Sequence, residues 1–423
     1  MTRLSLHAQI GIALGLALLA GLASAPGDAW VGLFEFLGTL FLNALKLLVV
    51  PLIVTSLING LVSVPGAKGV GRMGVYTVGW FAGTSVLAIL AGLLIANAIQ
   101  PGLVNGQPAG AQMGLAQDST SVLAGIEQRA QADFSDVLLR LVPSNIFSAA
   151  AQGDILGLIL FSLLFAYAIT RLPEPLAATQ RQFWMGAYEV MLHLTRLVMK
   201  LAPIGVFGLV AATVARTGWQ AAGPLLWFFI TVLLGLAAHM FVILPLILLL
   251  VARVSPLRHY RAMLPALLTA FSTSSSAATL SVTMDCVQRR AGVSPRVTGF
   301  FLPIGANINM DGSALYECVA ALFIAQAYGL DLSFGIQFVI FGMALLTSVG
   351  VAGIPSASLV GIALILSAIG LPLEGLGLIL AVDRILDMCR TAVNVFGDSS
   401  GAVTVARLMG ETEVLQSQNP PPA

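Results

Sequence analysis

A chain of 423 residues that is 58% hydrophobic and only 9% charged cannot clothe a water-facing surface, because soluble domains carry about 25% charged residues. Long apolar segments recur from end to end, so the chain reads as a membrane protein throughout rather than a soluble domain with an anchor, and lipid is its surroundings. A net charge of +1 without any basic run excludes nucleic acid as a partner.

In chain order, Arg3, the apolar run Ile10 to Leu22 and the small residues Ala23-Ser24-Ala25 have the outline of a signal peptide. A retained first helix is the better reading, because a membrane-embedded chain needs no secretion signal and the next span follows a short loop. Apolar segments fall near 8–24, 32–63, 75–99, 138–170, 183–215, 222–252, 263–287, 297–328, 334–371 and 375–407. Arg3, the pair Lys68 and Arg72, the pair Arg171 and Arg181, and the trio Arg253, Arg258 and Arg261 all fall on one side if each segment crosses once. That side is the cytoplasm. The 101–136 stretch, rich in Gly, Ala and Gln, then lies outside as a mobile loop.

The alternation breaks at segment 263–287. Arginines flank it on both sides, with Arg289, Arg290 and Arg296 following it, and its centre is Ser272-Thr273-Ser274-Ser275-Ser276. It reads as a re-entrant hairpin from the cytoplasm. Segment 334–371 mirrors it: Asp331 and Glu374 flank it, and Gly350-Val351-Ala352-Gly353-Ile354-Pro355-Ser356 breaks its centre. It reads as a second hairpin entering from outside. Each hairpin precedes a helix with polar residues at its middle, so the two units form an inverted repeat of the kind that builds a transporter's binding site.

The last helix carries Asp383, Asp387, Arg390, Asn394 and Asp398 at spacings of 4, 3, 4 and 4. At about 100° per residue these project within an arc of roughly 80°, with Thr391 at its edge. Each charge at mid-bilayer costs ~2.5–3.5 kcal/mol on insertion scales, a cost retained where charges meet partners, ions or substrate. Arg384 points off this stripe and receives no role, and Asp383 is also left without one. The preceding helix carries Asn307, Asn309, Asp311 and Glu317. Asn and Asp oxygens, with carbonyls freed where a helix unwinds, are hard ligands for a small cation such as Na⁺. Ser274 to Ser276 offer hydroxyls and N–H groups at the start of a half-helix, which attract a carboxylate. Cys286, Cys318 and Cys389 lie in apolar segments with no paired motif and read as buried side chains. His7, His193, His239 and His259 are scattered and form no ligand pattern, and no nucleophile-base pair stands out, so an enzyme is not expected. No filter repeats around a pore, which argues against a channel.

At these motifs the chain resembles the glutamate/aspartate transporter family, the dicarboxylate/amino acid:cation symporters. The matching stretches are Ser274-Ser-Ser-Ala-Ala-Thr-Leu, Asn309-Met-Asp-Gly-Ser-Ala-Leu-Tyr-Glu, Val351-Ala-Gly-Ile-Pro-Ser and Asp383-Arg-Ile-Leu-Asp-Met-Cys-Arg-Thr-Ala-Val-Asn-Val-Phe-Gly-Asp. Weaker likeness extends to Val49-Val-Pro-Leu-Ile-Val and Thr84-Ser85. The resemblance implies an all-α polytopic fold of eight transmembrane helices plus two re-entrant helical hairpins, assembled as a homotrimer in the plasma membrane, the bacterial inner membrane. It implies a scaffold of residues 1–74 (spans one and two) and 138–216 (spans four and five). The transport domain is then span three at 75–100 and residues 217–409, with hairpins at 262–288 and 334–371. An extracellular loop at 101–137 and a flexible tail at 410–423 complete the division. The transport domain would move like an elevator, with the second hairpin as gate.

The resemblance also implies roles. Arg390 takes the substrate's side-chain carboxylate and Asp387 its amino group, with Thr391 and Asn394 as further contacts. Ser275, Ser276 and the backbone near Gly353 take the main-chain carboxylate. Gly305, Asn309, Asn394 and Asp398 form one sodium site. Met310, Ser348, Val349 and Val351 line a second, and Thr84, Ser85, Asn309 and Asp311 form a third. Glu317 is the candidate proton carrier, and sodium and proton coupling both stay open; no further cofactor is expected. Three departures touch gating and cation details: Ser281 where many members have proline, Asn307 where many have threonine, and Ser356 where glycine is common. The expected activity is cation-coupled symport of glutamate or aspartate. C4-dicarboxylates, which bring no ammonium to Asp387, and neutral amino acids, which leave Arg390 unpaired, are the alternatives.

Overall fold

The computed structural model describes residues 6–25, 27–63, 71–113, 142–152, 155–217, 222–330, 332–350 and 358–415. It is mostly helical, as the apolar composition requires of a chain whose backbone must satisfy its own hydrogen bonds in lipid. Among the described residues, three helical stretches are long and apolar enough to cross a bilayer: Gly71–Ile99, Ala222–Ala252 and Pro295–Ala327.

The helices form two packed sets. In the first, α1 (Leu6–Leu22) and α2 (Ala29–Ser63) pack on α7 (Ala202–Thr217), and α2 also packs on α5 (Ile155–Thr170) and α6 (Glu174–Met199). A short α4 (Ile146–Gln152) precedes α5. The expected fifth span, 183–215, is therefore two helices. Pro203 has no N–H to offer the preceding turn, and Lys200 and Leu201 close that turn with tighter bonds to Leu197 and Val198.

The second set is built around two central helices. They are α12 (Asp311–Ala327), buried at every position, and α15 (Leu376–Leu408), buried almost throughout its second half. Around them lie α3 (Gly71–Ile99), α8 (Ala222–Ala252) and α11 (Pro295–Ile308). The expected first hairpin is α9 (Pro256–Thr273) and α10 (Ser276–Asp285). The chain reverses at Ser274, whose φ is +50°, and the Thr273 and Thr279 hydroxyls meet at 3.2 Å across the turn. The arms α13 (Phe334–Gly350) and α14 (Ser358–Ile369) also pack on each other and on α12. The tip that joins them, with Val351 and Gly353, lies outside the described residues. Thinner seams join the sets, α7 to α15, α2 to α13 and α14, and α5 to α14.

The loop after α3 begins with an antiparallel pair, β1 (Leu103–Val104) and β2 (Gln107–Pro108), and buries Ala109 and Met113. The Gly102 N–H donates to Gln326 Oε1 at 3.0 Å, which ties this part of the loop to α12. Residues 410–415 pack across the base of α9 and α10. Val414 and Leu415 are buried, and the Leu415 N–H donates to the Ala291 carbonyl at 2.9 Å. Ser294 caps α11, its Oγ accepting from the Val297 N–H at 3.4 Å, and its own N–H donates to Glu411 Oε2 at 3.0 Å.

The α2–α7 contact depends on Gly208, where a Cβ would lie 2.5 Å from the Phe34 carbonyl oxygen and 2.7 Å from the Gly38 nitrogen. Both neighbours are backbone and cannot rotate away. Gly208→Ala is expected to destabilise the protein by about 1–3 kcal/mol, read as a lower thermal unfolding midpoint in detergent. Gly11→Ala, with no atom within 4 Å of its Cβ, is the control expected to show no loss.

Candidate functional site

The charged stripe of α15 faces α12. Arg390 is fully buried. Its Nη2 donates to Asp387 Oδ1 at 2.6 Å, its Nη1 donates to Asp383 Oδ1 at 3.2 Å, and its Cζ lies 3.9 Å from the centre of the Tyr316 ring. The Tyr316 hydroxyl donates to the same Asp383 oxygen at 2.8 Å. The guanidinium is thus paired with two carboxylates and laid on an aromatic face, the combination a buried arginine needs. Asp383 acquires a partner set that periodicity did not reveal. Thr391 lies on the same buried face, and its hydroxyl donates to the Asp387 carbonyl at 2.8 Å.

Asn394 joins this cluster to the break between α11 and α12. The helix unwinds at Asn309 and Met310, whose φ,ψ values are −93°,77° and −107°,55°. The Gly312 N–H, which in a continuous helix would bond the Ile308 carbonyl, donates instead to Asn394 Oδ1 at 2.8 Å. Asn394 Nδ2 donates to Ser313 Oγ at 3.3 Å and lies 3.8 Å from Met310 Sδ. The freed carbonyl expected from the sequence therefore has a physical origin in this break.

Two acids flank the break. The Ser85 hydroxyl donates to Asp311 Oδ1 at 2.8 Å, and the Thr84 hydroxyl lies 3.2 Å from the same oxygen and 3.3 Å from Asn309 Oδ1. Asp398 Oδ1 accepts from Asn309 Nδ2 at 3.1 Å, and a Cβ on Gly305 would lie 2.7 Å from that oxygen. Thr84, Ser85, Asn309 and Asp311 thus converge from α3 and α12, and Gly305, Asn309 and Asp398 converge from α11 and α15. Among the described residues no Lys or Arg bonds Asp311 or Asp398. Hydroxyl, amide, carboxylate and carbonyl oxygens suit a hard cation such as Na⁺, which would be cargo here.

The remaining sequence candidates are dispersed around this core. Ser275 caps α10, its Oγ accepting from the Ala278 N–H at 3.2 Å, and Ser276 begins the helix, so the first turn of a half-helix lies at the tip. Ser348 is buried near the end of α13, with its hydroxyl donating to the Leu345 carbonyl at 2.7 Å. Of the Val349 side chain, Val351 and Gly353 nothing is described. Glu317 is fully buried on α12, accepts from the Thr347 hydroxyl on α13, and lies where a Cβ on Gly361 of α14 would come within 2.4 Å of its carboxyl carbon. It sits between the two arms of the second hairpin, and only glycine at 361 permits that approach.

Residues that sequence reasoning missed complete the site. His239, set aside as scattered, is fully buried with Nε2 3.2 Å from Asp311 Oδ2. It begins a π turn in α8, where Leu244 N–H reaches back to the His239 carbonyl and Pro245 has no N–H to give. A Pro six residues on was the only available signal. Tyr316 and Thr347 carried none beyond polarity in apolar runs. Arg384 reaches round α15 to Asp387, with Nη1 3.2 Å from Oδ2.

Charged residues buried inside apolar helices and paired with one another beside an oxygen-rich helix break, together with the family match that follows, define the class: an integral, multi-pass membrane transporter and not an enzyme. Residues 6–408 match the sodium:dicarboxylate symporter family, and the chain belongs to that family. It is 33% identical to a proton/sodium-glutamate symport protein of Bacillus caldotenax, over 97% of this chain and 96% of that protein. It is 35% identical to the proton/glutamate-aspartate symporter of Escherichia coli (strain K12), over 89% and 85%. It is 37% identical to the neutral amino acid transporter B(0) of Bos taurus, over 96% and 79%.

Tyr316→Phe removes the hydroxyl from Asp383 and keeps the ring under Arg390. A hydrogen bond to a charged group is worth about 1.5–3 kcal/mol, so a loss of that size in unfolding free energy is expected, with Tyr316→Ala losing more.

Proposed function

We propose that the protein is a secondary active transporter that couples uptake of glutamate or aspartate to Na⁺, H⁺ or both. The observation that carries this reading is Arg390, fully buried and 2.6 Å from Asp387, on the same helix as Asp398 and the cation cluster. Arg390 would turn to the substrate's side-chain carboxylate, bonding it with two parallel donors. Asp387, released from Arg390, would receive the ammonium. The N–H groups at Ser275 and Ser276, with the backbone near Gly353, would take the main-chain carboxylate, and Thr391 and Asn394 would complete the pocket. Cations would bind at Thr84, Ser85, Asn309 and Asp311, at Gly305, Asn309, Asn394 and Asp398, and along Met310, Ser348, Val349 and Val351. Glu317 would carry the proton.

A neutral amino acid would leave Arg390 without its anionic partner. A C4-dicarboxylate would bring no ammonium to Asp387. Both remain secondary readings, and the first has support from the neutral amino acid transporter relative.

The architecture that goes with this function is eight spans and two hairpins, in a homotrimer in the plasma membrane. Residues 1–74 and 138–216 would form the scaffold, and residues 75–100 and 217–409 the moving domain. The packing of the helices into two sets joined by thin seams supports an elevator movement along those seams.

In proteoliposomes, an inward Na⁺ or H⁺ gradient is expected to drive concentrative uptake of labelled aspartate or glutamate. Uptake under neither gradient would overturn the reading. Arg390→Cys is expected to lower aspartate affinity about a hundredfold or more, since it removes the paired donors that would take the substrate's side-chain carboxylate. Glu317→Gln is expected to abolish the response to an imposed proton gradient while the response to sodium persists.

A further inference from the structure

Asp387 is held from two sides. Its Oδ1 accepts from Arg390 Nη2 at 2.6 Å, and its Oδ2 accepts from Arg384 Nη1 at 3.2 Å. The Arg384 and Asp387 side chains are 11% and 7% exposed, so water and salt screen the pair little. Asp383, Arg384, Asp387 and Arg390 bring together two acids and two bases, and their formal charges cancel. On the helix Arg384 stands about 60° round from Asp387, outside the arc of the stripe, and reaches back across one turn.

An entering substrate carboxylate competes for Arg390. When Arg390 turns away, Asp387 loses its 2.6 Å partner. Were Arg384 absent, only a substrate ammonium would restore the balance. A substrate without one would strand a buried carboxylate, which costs much affinity. Arg384 removes that requirement, because it bonds the other oxygen and need not move when substrate arrives. It also keeps Asp387 from collapsing onto Arg390 through both oxygens, a bidentate pairing that would close the site to anions.

We propose that Arg384 is a specificity-determining positioning residue. It keeps Asp387 in place and charge-compensated while Arg390 engages the substrate, and so admits C4-dicarboxylates beside acidic amino acids. This rests on the acidic-substrate reading of the pocket and adds to it the residue that sets the balance between the two substrate classes.

The test is the ratio of the succinate inhibition constant to the aspartate KM, measured on labelled aspartate uptake into proteoliposomes. Arg384→Gln keeps an amide donor and loses the charge, and is expected to raise the ratio about tenfold or more. Arg384→Lys keeps the charge and is expected to hold the ratio close to the wild-type value. Equal loss of affinity for both ligands, with the ratio unchanged, would make Arg384 a packing residue and overturn the proposal. So would wild-type protein that succinate does not inhibit. If Arg384→Gln does not reconstitute, the same ratio is read from thermal stabilisation of the detergent-solubilised protein by succinate and by aspartate. Wild-type protein that aspartate neither stabilises nor enters vesicles through overturns the acidic-substrate reading itself, and the proposal with it.

Discussion

A guanidinium in the middle of an apolar bundle must be neutralised, and the pairing of Arg390 with Asp383, Asp387 and Tyr316 meets that demand. Asp383 and Asp387 come from the same helix, two turns and one turn away, so α15 brings most of its own compensation. Tyr316 comes from α12, and it both receives the cation on its ring and donates to Asp383. The pair α12 and α15 must therefore lie side by side for the charge to be tolerated. The burial of α12 at every position and of most of α15 follows from that demand.

The break between α11 and α12 performs the opposite electrostatic task. Around Asn309 hydroxyl, amide and carboxylate oxygens gather and the carboxylates are Asp311 and Asp398, with no bonded Lys or Arg among the described residues. One half of the interface thus holds a guanidinium already balanced by carboxylates, and the other holds two carboxylates that favour cations. Asn394 spans them: its carbonyl holds the Gly312 N–H at the break, and it lies one turn from Arg390 on α15. On the proposed reading, a ligand that moves Arg390 would be felt at the break through Asn394, a physical route by which substrate and ion would be coupled.

The second hairpin meets this interface through Glu317. Its carboxylate lies between Thr347 on one arm and Gly361 on the other, in contact with both. The first hairpin is anchored differently. Residues 410–415 bind across its base, with Glu411 at Ser294 and Leu415 at Ala291, and Arg258 Nη1 donates to the Leu415 carbonyl at 3.2 Å. Residues 410–415 thus fasten the base of α9 and α10, while α13 and α14 pack around an ionisable side chain.

Much of this was legible in the sequence because the bilayer makes polar residues expensive. A five-residue polar stripe at helical spacing, a serine knot inside an apolar run and an Asn-Met-Asp break each stand out against lipid-facing sequence, and each marks a place where the helices cluster. The family resemblance supplied roles for the same residues. What sequence did not reveal was set by contacts between distant segments or by reach across a helix turn. Asp383 lacked a role until Tyr316 met it from α12. His239 looked isolated until a π turn in α8 brought it to Asp311. Arg384 lay off the stripe by periodicity, yet its long side chain crosses one turn to Asp387. Periodicity reports the direction in which a Cβ points, and these three pairings depend on side-chain length and on which helix lies opposite, which only the tertiary structure decides.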